Sequence, residues 1–208
     1  MSDAKQIYVD MDDVLGETGR TFLRVLESDF GKRVEWEQII DYDLGVSLGL
    51  DEASLTEFMH AIHEPAVLAS VQPIPGALAA LERWIEQGYE IEVVTGRPSS
   101  TEEISRNWLK NNEMPHHSLI HVDKYAWAEE LMGTSSGVPL VRLADNGYCL
   151  AVEDSAEVAI HLTQIIDAPV VVLDRPWNRR KLDEHANTNG RIVRCESWTE
   201  IFAQFPSP

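Results

Sequence analysis

The feature that most constrains this chain is a regular alternation of short apolar runs with amphipathic helical patterns. Apolar runs of strand length lie at 89–94, 119–122, 148–152, 170–173 and 192–193. Helical patterns fill the intervals, at 75–88, 99–112, 125–132, 156–166 and 198–202. Strands that alternate with helices pair in parallel through right-handed crossovers. The sequence therefore predicts an α/β fold with a doubly wound parallel sheet.

A further apolar run, residues 7–9, ends abruptly in three carboxylates within four residues, Asp10, Asp12 and Asp13. We interpret this run as a buried strand that leaves the sheet at the acidic residues. Like charges packed together in this way need a cation or a catalytic task. The alternative is that the three residues are a helix cap or a solvated turn, which acidic residues also form after strands.

The residues between this strand and position 73 do not resemble a sheet unit. A helix is expected over 16–30, with Gly31 as its stop, and a second over 52–62, with Asp51 as its cap. A segment of roughly sixty residues is far longer than an ordinary crossover. We therefore expect residues 16–72 to be a small helical cap inserted into a core domain formed by residues 1–15 and 73–208.

The charge balance narrows the class of partner. The chain has 35 acidic and 17 basic residues and a formal net charge of -18, so its average field repels nucleic acid polymers and anionic membranes. A small phosphorylated metabolite is still compatible, because a local cation reverses the field in one pocket. With two cysteines, Cys149 and Cys195, and no apolar run of membrane-spanning length, we expect free thiols and a cytoplasmic location. The oligomeric state is left open.

Polar residues follow four of the predicted strands. They are Asp10 and Asp12, Thr95 to Arg97, Asp123 and Lys124, and Glu153 and Asp154. The carboxyl ends of parallel strands share one edge of the sheet, where ligands of open α/β sheets bind. We therefore expect one site at this edge.

These residue types suit phosphoryl transfer. The Thr95 hydroxyl and the backbone N–H groups at Gly96 are suited to hold phosphate oxygens, and Lys124 to neutralise a carboxylate nucleophile and the phosphate. Glu153 and Asp154 offer the hard oxygen ligands that Mg²⁺ prefers. Arg97 either contacts the phosphate or forms a surface salt bridge.

The ordered set resembles the haloacid dehalogenase (HAD) superfamily over nearly the whole chain, and within it the phosphatases, because the second aspartate of the DxD motif is present. The resemblance implies a Rossmann-like fold with Asp10 as nucleophile, Asp12 as general acid and base, Thr95 as the second-motif hydroxyl and Lys124 as the third-motif lysine. It also implies that Asp154, as the fourth-motif aspartate, binds Mg²⁺. We expect the metal ligands to be Asp10, Asp12, Asp154 and Glu153.

Segments 9–15, 94–98 and 173–178 look more narrowly like the 5'(3')-deoxyribonucleotidase-like branch. Two residues depart from that pattern. Asp13 stands where many relatives have glycine, and Glu153-Asp154 replaces a pair of aspartates. The second departure leaves open whether Glu153 binds the metal directly or through water.

We therefore predict a Mg²⁺-dependent phosphomonoester hydrolase that works through an aspartyl phosphate and acts on nucleoside monophosphates. A sugar phosphate or another metabolite is the alternative substrate. A non-catalytic phospho-ligand binding module and a phosphotransferase are alternative functions. Trp36 and Tyr42 are candidates for contact with a nucleobase, against the alternative that they form the core of the cap. Trp177 is a candidate to cover the rim of the site or to stack on a base, against the alternative of simple packing.

Overall fold

A seven-stranded parallel sheet is the centre of the computed structural model, which describes residues 5–41, 43–124, 138–185 and 190–208. The strands lie in the order β4-β3-β2-β1-β5-β6-β7, and each recorded pairing is parallel. Their bounds are Lys5–Asp10 (β1), Tyr89–Thr95 (β2), Ser118–Asp123 (β3), Val138–Pro139 (β4), Tyr148–Glu153 (β5), Val170–Leu173 (β6) and Ile192–Cys195 (β7). The predicted doubly wound sheet is confirmed.

Strand β1 lies at the middle of the sheet and is buried on both faces. Ile7 and Val9 pack into one hydrophobic cluster, whereas Tyr8 packs into another on the opposite face, as the alternation of side chains along a strand requires. The first cluster also contains Trp84 and Trp198. Helices cover both faces of the sheet, which explains why residues 7–9 form an uninterrupted apolar run.

Five helices pack on the sheet after the first strand and its long insertion. They are Ala77–Glu86, Glu102–Asn111, Ala156–Ile165, Pro176–Glu184 and Trp198–Gln204, which we name α5 to α9 because four helices precede them. The helical patterns in the sequence predicted four of these five. The exception is α8, Pro176–Glu184, because most of its residues are polar and only Trp177 and Leu182 are large buried apolar residues.

Four α-helices lie between β1 and α5 in the described residues. They are Thr18–Phe30 (α1), Leu44–Leu48 (α2), Glu52–Ile62 (α3) and Pro65–Ala69 (α4). The predicted stop and cap are both present: Gly31 ends α1 with φ 65°, and the Asp51 side chain accepts a hydrogen bond from Ser54 N at 2.8 Å. These helices share a hydrophobic cluster of their own around Phe58 and Ile62. The proposed role of the segment as a cap stays a prediction.

Two sequence expectations lie outside the described residues: the helix at 125–132 and the aromatic Tyr42. Cys149 and Cys195 are free thiols, as expected. Within the described ranges, we find no helix both long enough and apolar enough to span a bilayer.

Candidate active site

The carboxyl ends of the central strands bring most of the predicted site residues together. Asp10 ends β1, Thr95 ends β2 and Glu153 ends β5, while Lys124 directly follows β3. These four side chains are buried, with at most 3% of each residue exposed. Parallel pairing of β3, β2, β1 and β5 therefore turns segments far apart in the sequence into one site.

Three buried carboxylates form the centre of this site. Oxygen atoms of Asp10, Glu153 and Asp154 all lie within 4.8 Å of one another. Lys124 Nζ lies 2.7 Å from Asp10 Oδ1 and 2.5 Å from Glu153 Oε1. Three formal negative charges therefore face one lysine, and the cluster retains an excess of negative charge.

The excess charge perturbs the titration of the cluster. Burial, together with repulsion from Asp10, raises the pKa of Glu153 to about 8. Burial also raises the pKa of Asp154 well above its usual range, and Glu153 and Asp10 raise it further. Burial alone would lower the pKa of Lys124, but the neighbouring carboxylates Asp10 and Glu153 outweigh it and raise that pKa. The raised pKa values of Glu153 and Asp154 mean that folding favours their protonated forms, because the cluster has too few positive charges to neutralise its carboxylates.

The donor set fits a hard divalent cation. The cluster offers carboxylate oxygens, which are the ligands that Mg²⁺ prefers, and a bound cation would relieve the repulsion that raises the pKa values of Glu153 and Asp154. The residues that the structure brings together for this purpose are Asp10, Glu153 and Asp154. The fourth expected ligand, Asp12, is not part of this group.

The carboxylate of Asp12 instead lies against Arg97. Arg97 Nη2 donates to Asp12 Oδ1 at 2.6 Å and Nε donates to Oδ2 at 3.0 Å, while Thr18 Oγ1 donates to Oδ1 at 2.6 Å. Burial would raise the pKa of Asp12, but the charge and hydrogen bonds of Arg97, with the Thr18 hydroxyl, outweigh it and lower that pKa. Arg97 is buried, so the alternative of a surface salt bridge does not describe it.

The segment Thr95-Gly96-Arg97 is held by its own polar groups. Thr95 Oγ1 accepts a hydrogen bond from Arg97 N at 3.1 Å and lies 3.4 Å from Asp12 Oδ2. A Cβ atom placed on Gly96 would lie 3.2 Å from Lys124 Cδ, which is closer than most such contacts. Glycine at position 96 therefore allows the Lys124 side chain to pass beside β2 and reach Asp10.

Asp13 has a structural role that the sequence analysis did not assign. Its backbone has φ 54°, which lies in the left-handed region that glycine adopts most easily and that aspartate also tolerates. Its carboxylate accepts two hydrogen bonds from Gly19 N, and its carbonyl accepts from Arg175 Nη2 at 2.7 Å. Burial, with repulsion from Asp12, raises the pKa of Asp13 to about 7 against the opposing charge of Arg175.

Two residues at the start of α8 hold Asp154. Trp177 Nε1 donates to Asp154 Oδ2 at 2.9 Å, and Asn178 Nδ2 donates to the Asp154 carbonyl at 2.7 Å. The sequence indicates Trp177 as a rim, base-stacking or packing residue, and nothing in it connects Trp177 with Asp154. The sequence signal is Pro176, because proline is well suited to the first turn of a helix. It indicates a helix that begins soon after β6 and carries Trp177 and Asn178 in its first turn.

A small cavity of about 130 Å³ lies next to Asp13. Its lining residues come from both the helical insertion and the sheet edge: Asp13, Glu17, Arg20, Trp36, Ile74 and Arg175. The Arg20 guanidinium lies 4.5 Å from the centre of the Trp36 ring. A larger cleft of about 440 Å³ lies at the ends of β6 and β7, but its charged side chains, including Arg179, Arg194 and Asp174, pair with one another, and we assign it no ligand.

Comparison with known sequences identifies related proteins. The family model described as "5' nucleotidase, deoxy (Pyrimidine), cytosolic type C protein" matches residues 4–130. Two curated bacterial relatives both bear the name "putative nucleotidase". The protein from Halalkalibacterium halodurans is 29% identical over 199 residues, which cover 96% of this chain and 91% of the relative. The protein from Bacillus cereus is 21% identical over 195 residues, which cover 92% of this chain and 93% of the relative.

Solved structures with the same fold are also found. A haloacid dehalogenase-like hydrolase from Streptococcus pneumoniae superimposes with a TM-score of 0.67 at 13% identity, covering 99% of this chain and 100% of that one. A HAD family hydrolase from Deinococcus radiodurans, solved with bound phosphate and sodium, has a TM-score of 0.62 at 14% identity, with 99% and 97% of the two chains covered. At these identities the likeness establishes the fold.

Proposed function

From the premise that this chain belongs to the cytosolic type C 5'-deoxynucleotidase family within the HAD superfamily, and is a phosphatase, we propose that it hydrolyses nucleoside monophosphates through an aspartyl phosphate on Asp10. The observation that carries this proposal is the buried contact of Asp10 with Lys124, 2.7 Å long, inside the acidic cluster. The positive charge of Lys124 would offset the negative charge of Asp10 beside an anionic substrate, which favours attack by a carboxylate nucleophile.

The proposed reaction has two steps. In the first, a carboxylate oxygen of Asp10 attacks phosphorus, the bond to the ester oxygen breaks, and Asp12 gives its proton to the departing alkoxide. In the second, Asp12 takes a proton from water, the water oxygen attacks phosphorus, and the acyl phosphate bond breaks to release phosphate and restore Asp10. Thr95 and the N–H of Gly96 would bind the equatorial phosphate oxygens during both steps.

Magnesium is the cation that we propose for the acidic cluster, with Asp10 and Asp154 as ligands and Glu153 as a direct or water-mediated ligand. Bound there, it would neutralise the charge that develops on the transferring phosphoryl group. A HAD-hydrolase from Bacillus subtilis with this fold was solved bound to magnesium, which supports the choice. The Asp12 carboxylate lies against Arg97 and outside the acidic cluster. We therefore assign the Asp12 side chain to proton transfer rather than to metal binding.

Arg97 links substrate binding to this proton transfer. Its guanidinium is bonded to Asp12, and a phosphate dianion would compete for the same donors, since bidentate pairing of arginine suits both groups. Withdrawal of Arg97 toward the phosphate would raise the pKa of Asp12 from its lowered value. Release of Asp12 from Arg97 would thus favour the protonated form that the first step requires.

We further propose that the helical segment 16–72 covers the site as a cap and that the nucleoside binds toward Trp36. The small cavity supports this, because cap residues Glu17, Arg20 and Trp36 and core residues Asp13 and Arg175 line it together. The family description includes the word "cytosolic", which agrees with the cytoplasmic location that we propose.

The test is phosphate release from a panel of deoxy- and ribonucleoside 5'- and 3'-monophosphates and sugar phosphates, with Mg²⁺ and with EDTA. Asp10→Asn, which keeps the size of the side chain, is the blank. We expect Mg²⁺-dependent release from nucleotides that Asp10→Asn abolishes. Release from sugar phosphates alone would keep the chemistry and refute the substrate, and no release from any ester would favour a phospho-ligand binding module.

A further inference from the structure

Trp177 contacts both the acidic cluster and the helical insertion. Its indole N–H bonds to Asp154 Oδ2 at 2.9 Å, and the residue is 8% exposed. Within the described residues, the Trp177 indole is the hydrogen-bond donor to the Asp154 carboxylate, whereas Asn178 donates to the Asp154 backbone carbonyl. The direction in which the Asp154 carboxylate points is therefore set by Trp177.

The other side of Trp177 faces the helical insertion. Its ring packs edge-on against Trp36, with 5.0 Å between the ring centres and 72° between the planes. Trp36 is half-buried and begins a one-turn 3-10 helix, Trp36–Gln38, in the segment that joins α1 to α2. An uninterrupted series of contacts thus runs from the acidic cluster through one indole to the insertion.

Two ion pairs attach the same stretch of the insertion to the first turns of α8. Arg179 Nη1 lies 2.7 Å from Glu37 Oε2, and Arg180 Nη2 lies 3.3 Å from Asp41 Oδ2. These side chains are largely exposed, so each pair contributes only weakly to the contact. Residues 36–41, which we call the docking segment, are therefore held to α8 mainly by the aromatic contact of Trp36 and Trp177.

We propose that Trp177 is a positioning residue for Asp154 and that it couples cation binding at the acidic cluster to the attachment of the docking segment. The inference rests on the proposed function, because it takes the cluster as the Mg²⁺ site. A ligand carboxylate that is held by a second residue binds metal better than a free one, and loss of such a partner commonly costs 10- to 100-fold in metal affinity. Coupling is reciprocal, so attachment of the docking segment strengthens cation binding by the same factor by which cation binding strengthens that attachment.

The first experiment measures binding of Mg²⁺ alone by isothermal titration calorimetry. Trp177→Phe keeps an aromatic ring and removes the indole N–H, and we expect its Mg²⁺ affinity to fall about 10- to 100-fold. Trp84→Phe is the matched control, because Trp84 is also buried and its Nε1 also donates one hydrogen bond of 2.9 Å, to the Phe205 carbonyl. It should bind Mg²⁺ as the unmodified chain does.

A spectroscopic signal accompanies this measurement. Mg²⁺ at Asp154 should change the fluorescence of the adjacent Trp177 indole, and this change should be lost in Trp177→Phe and kept in Trp84→Phe. Circular dichroism at the titration temperature checks that each variant is folded. Equal Mg²⁺ affinity in folded Trp177→Phe and in the unmodified chain would overturn the proposal.

The second experiment tests the coupling through a residue with no contact to the carboxylates. Trp36→Leu removes the ring that packs on Trp177, and we expect Mg²⁺ affinity to fall about fivefold or more. Phe30→Leu is its control, because Phe30 packs on Phe58 inside the insertion, with 5.5 Å between ring centres, and should leave the affinity unchanged. An unchanged affinity in Trp36→Leu would refute the coupling.

Failure of the proposed function has a different signature. If the unmodified chain binds no Mg²⁺ and hydrolyses no ester, the Mg²⁺ site itself is wrong and the inference falls with it. If the unmodified chain binds Mg²⁺ and hydrolyses nucleotides but Trp177→Phe binds Mg²⁺ equally well, the proposed function stands and the role of Trp177 is refuted.

Discussion

The acidic cluster should reduce the stability of the metal-free protein, and Glu153→Gln should reveal by how much. Glu153 is 0% exposed, and its pKa is raised from 4.5 to about 8. At pH 7 the unfolded chain leaves this carboxyl ionised, whereas the folded chain must take up a proton. The roughly 2.5 pH units between 4.5 and 7 cost about 1.4 kcal/mol each, or about 3 kcal/mol in total.

Glutamine keeps the shape of the side chain and needs no proton. It loses the carboxyl partner of Lys124 Nζ, which we take to offset about 1 kcal/mol, while Lys124 keeps Asp10 at 2.7 Å. We therefore expect the free energy of unfolding of Glu153→Gln to rise by about 2 kcal/mol, or roughly 4–8 °C in Tm for a chain of this size. Urea and thermal unfolding in EDTA at pH 7 measure this, and Mg²⁺ affinity should fall in the same variant.

Glu92→Gln is the control for this substitution. Glu92 is also buried in the central sheet, but neutral donors surround it: Ser118 Oγ at 2.8 Å, Asn146 Nδ2 at 2.9 Å, Gln6 Nε2 at 3.3 Å and the Tyr148 hydroxyl. A carboxamide there would turn an N–H₂ group toward donors and destabilise the fold by about 1–3 kcal/mol. If Glu153→Gln also destabilised the metal-free protein, the account of a frustrated acidic cluster would be refuted.

Three other outcomes are expected. In EDTA, the contribution of Asp13 and Glu153 should lower Tm as pH rises from about 4.5 to about 8 and should level off above that, because their raised pKa values of about 7 and about 8 mean that the folded state holds protons which the unfolded state has released; saturating Mg²⁺ should reduce this slope, and a Tm that rises between about pH 6 and 8 would contradict the prediction. Lys124→Met should lower kcat by at least about 100-fold, since the charge beside Asp10 is lost, and near-normal turnover with a nucleotide would exclude that role. Arg97→Gln should lower kcat/KM by about 100-fold, whereas Arg106→Gln, which changes an exposed arginine paired with Glu102, should leave it unchanged; equal effects of the two would show that Arg97 has no special function.

The sequence was sufficient to predict six of the seven strands and the polar residues at their carboxyl ends, because both depend on local patterns; the two-residue edge strand β4, Val138–Pro139, is too short to leave such a pattern. Runs such as 89–94 and 148–152 are apolar and of strand length, and the polar residues that follow them must lie at one edge once the strands are parallel. Burial of Lys124 beside Asp10 follows from this topology. No knowledge of loop conformation was needed to predict that these residues would meet.

The partners of the site side chains were not predictable, because they depend on contacts between distant segments. Arg97 bonds to Asp12 across 85 positions of the sequence, and Arg175 reaches the Asp13 carbonyl across 162. Nothing in the local pattern distinguishes an arginine that binds phosphate from one that holds a carboxylate. Trp177 likewise resembles a packing residue until its indole N–H is seen against Asp154.

The direct test of the central claim is chemical trapping of the phosphoryl intermediate. The protein is mixed with a deoxynucleoside monophosphate and Mg²⁺, quenched during turnover, and treated with borohydride, which reduces an aspartyl phosphate to homoserine. Peptide mass mapping should find homoserine at position 10 when substrate and Mg²⁺ are both present, and intact aspartate when either is omitted. Release of phosphate with no modification at position 10, or with reduction at another carboxylate, would contradict the assignment of Asp10 as the nucleophile.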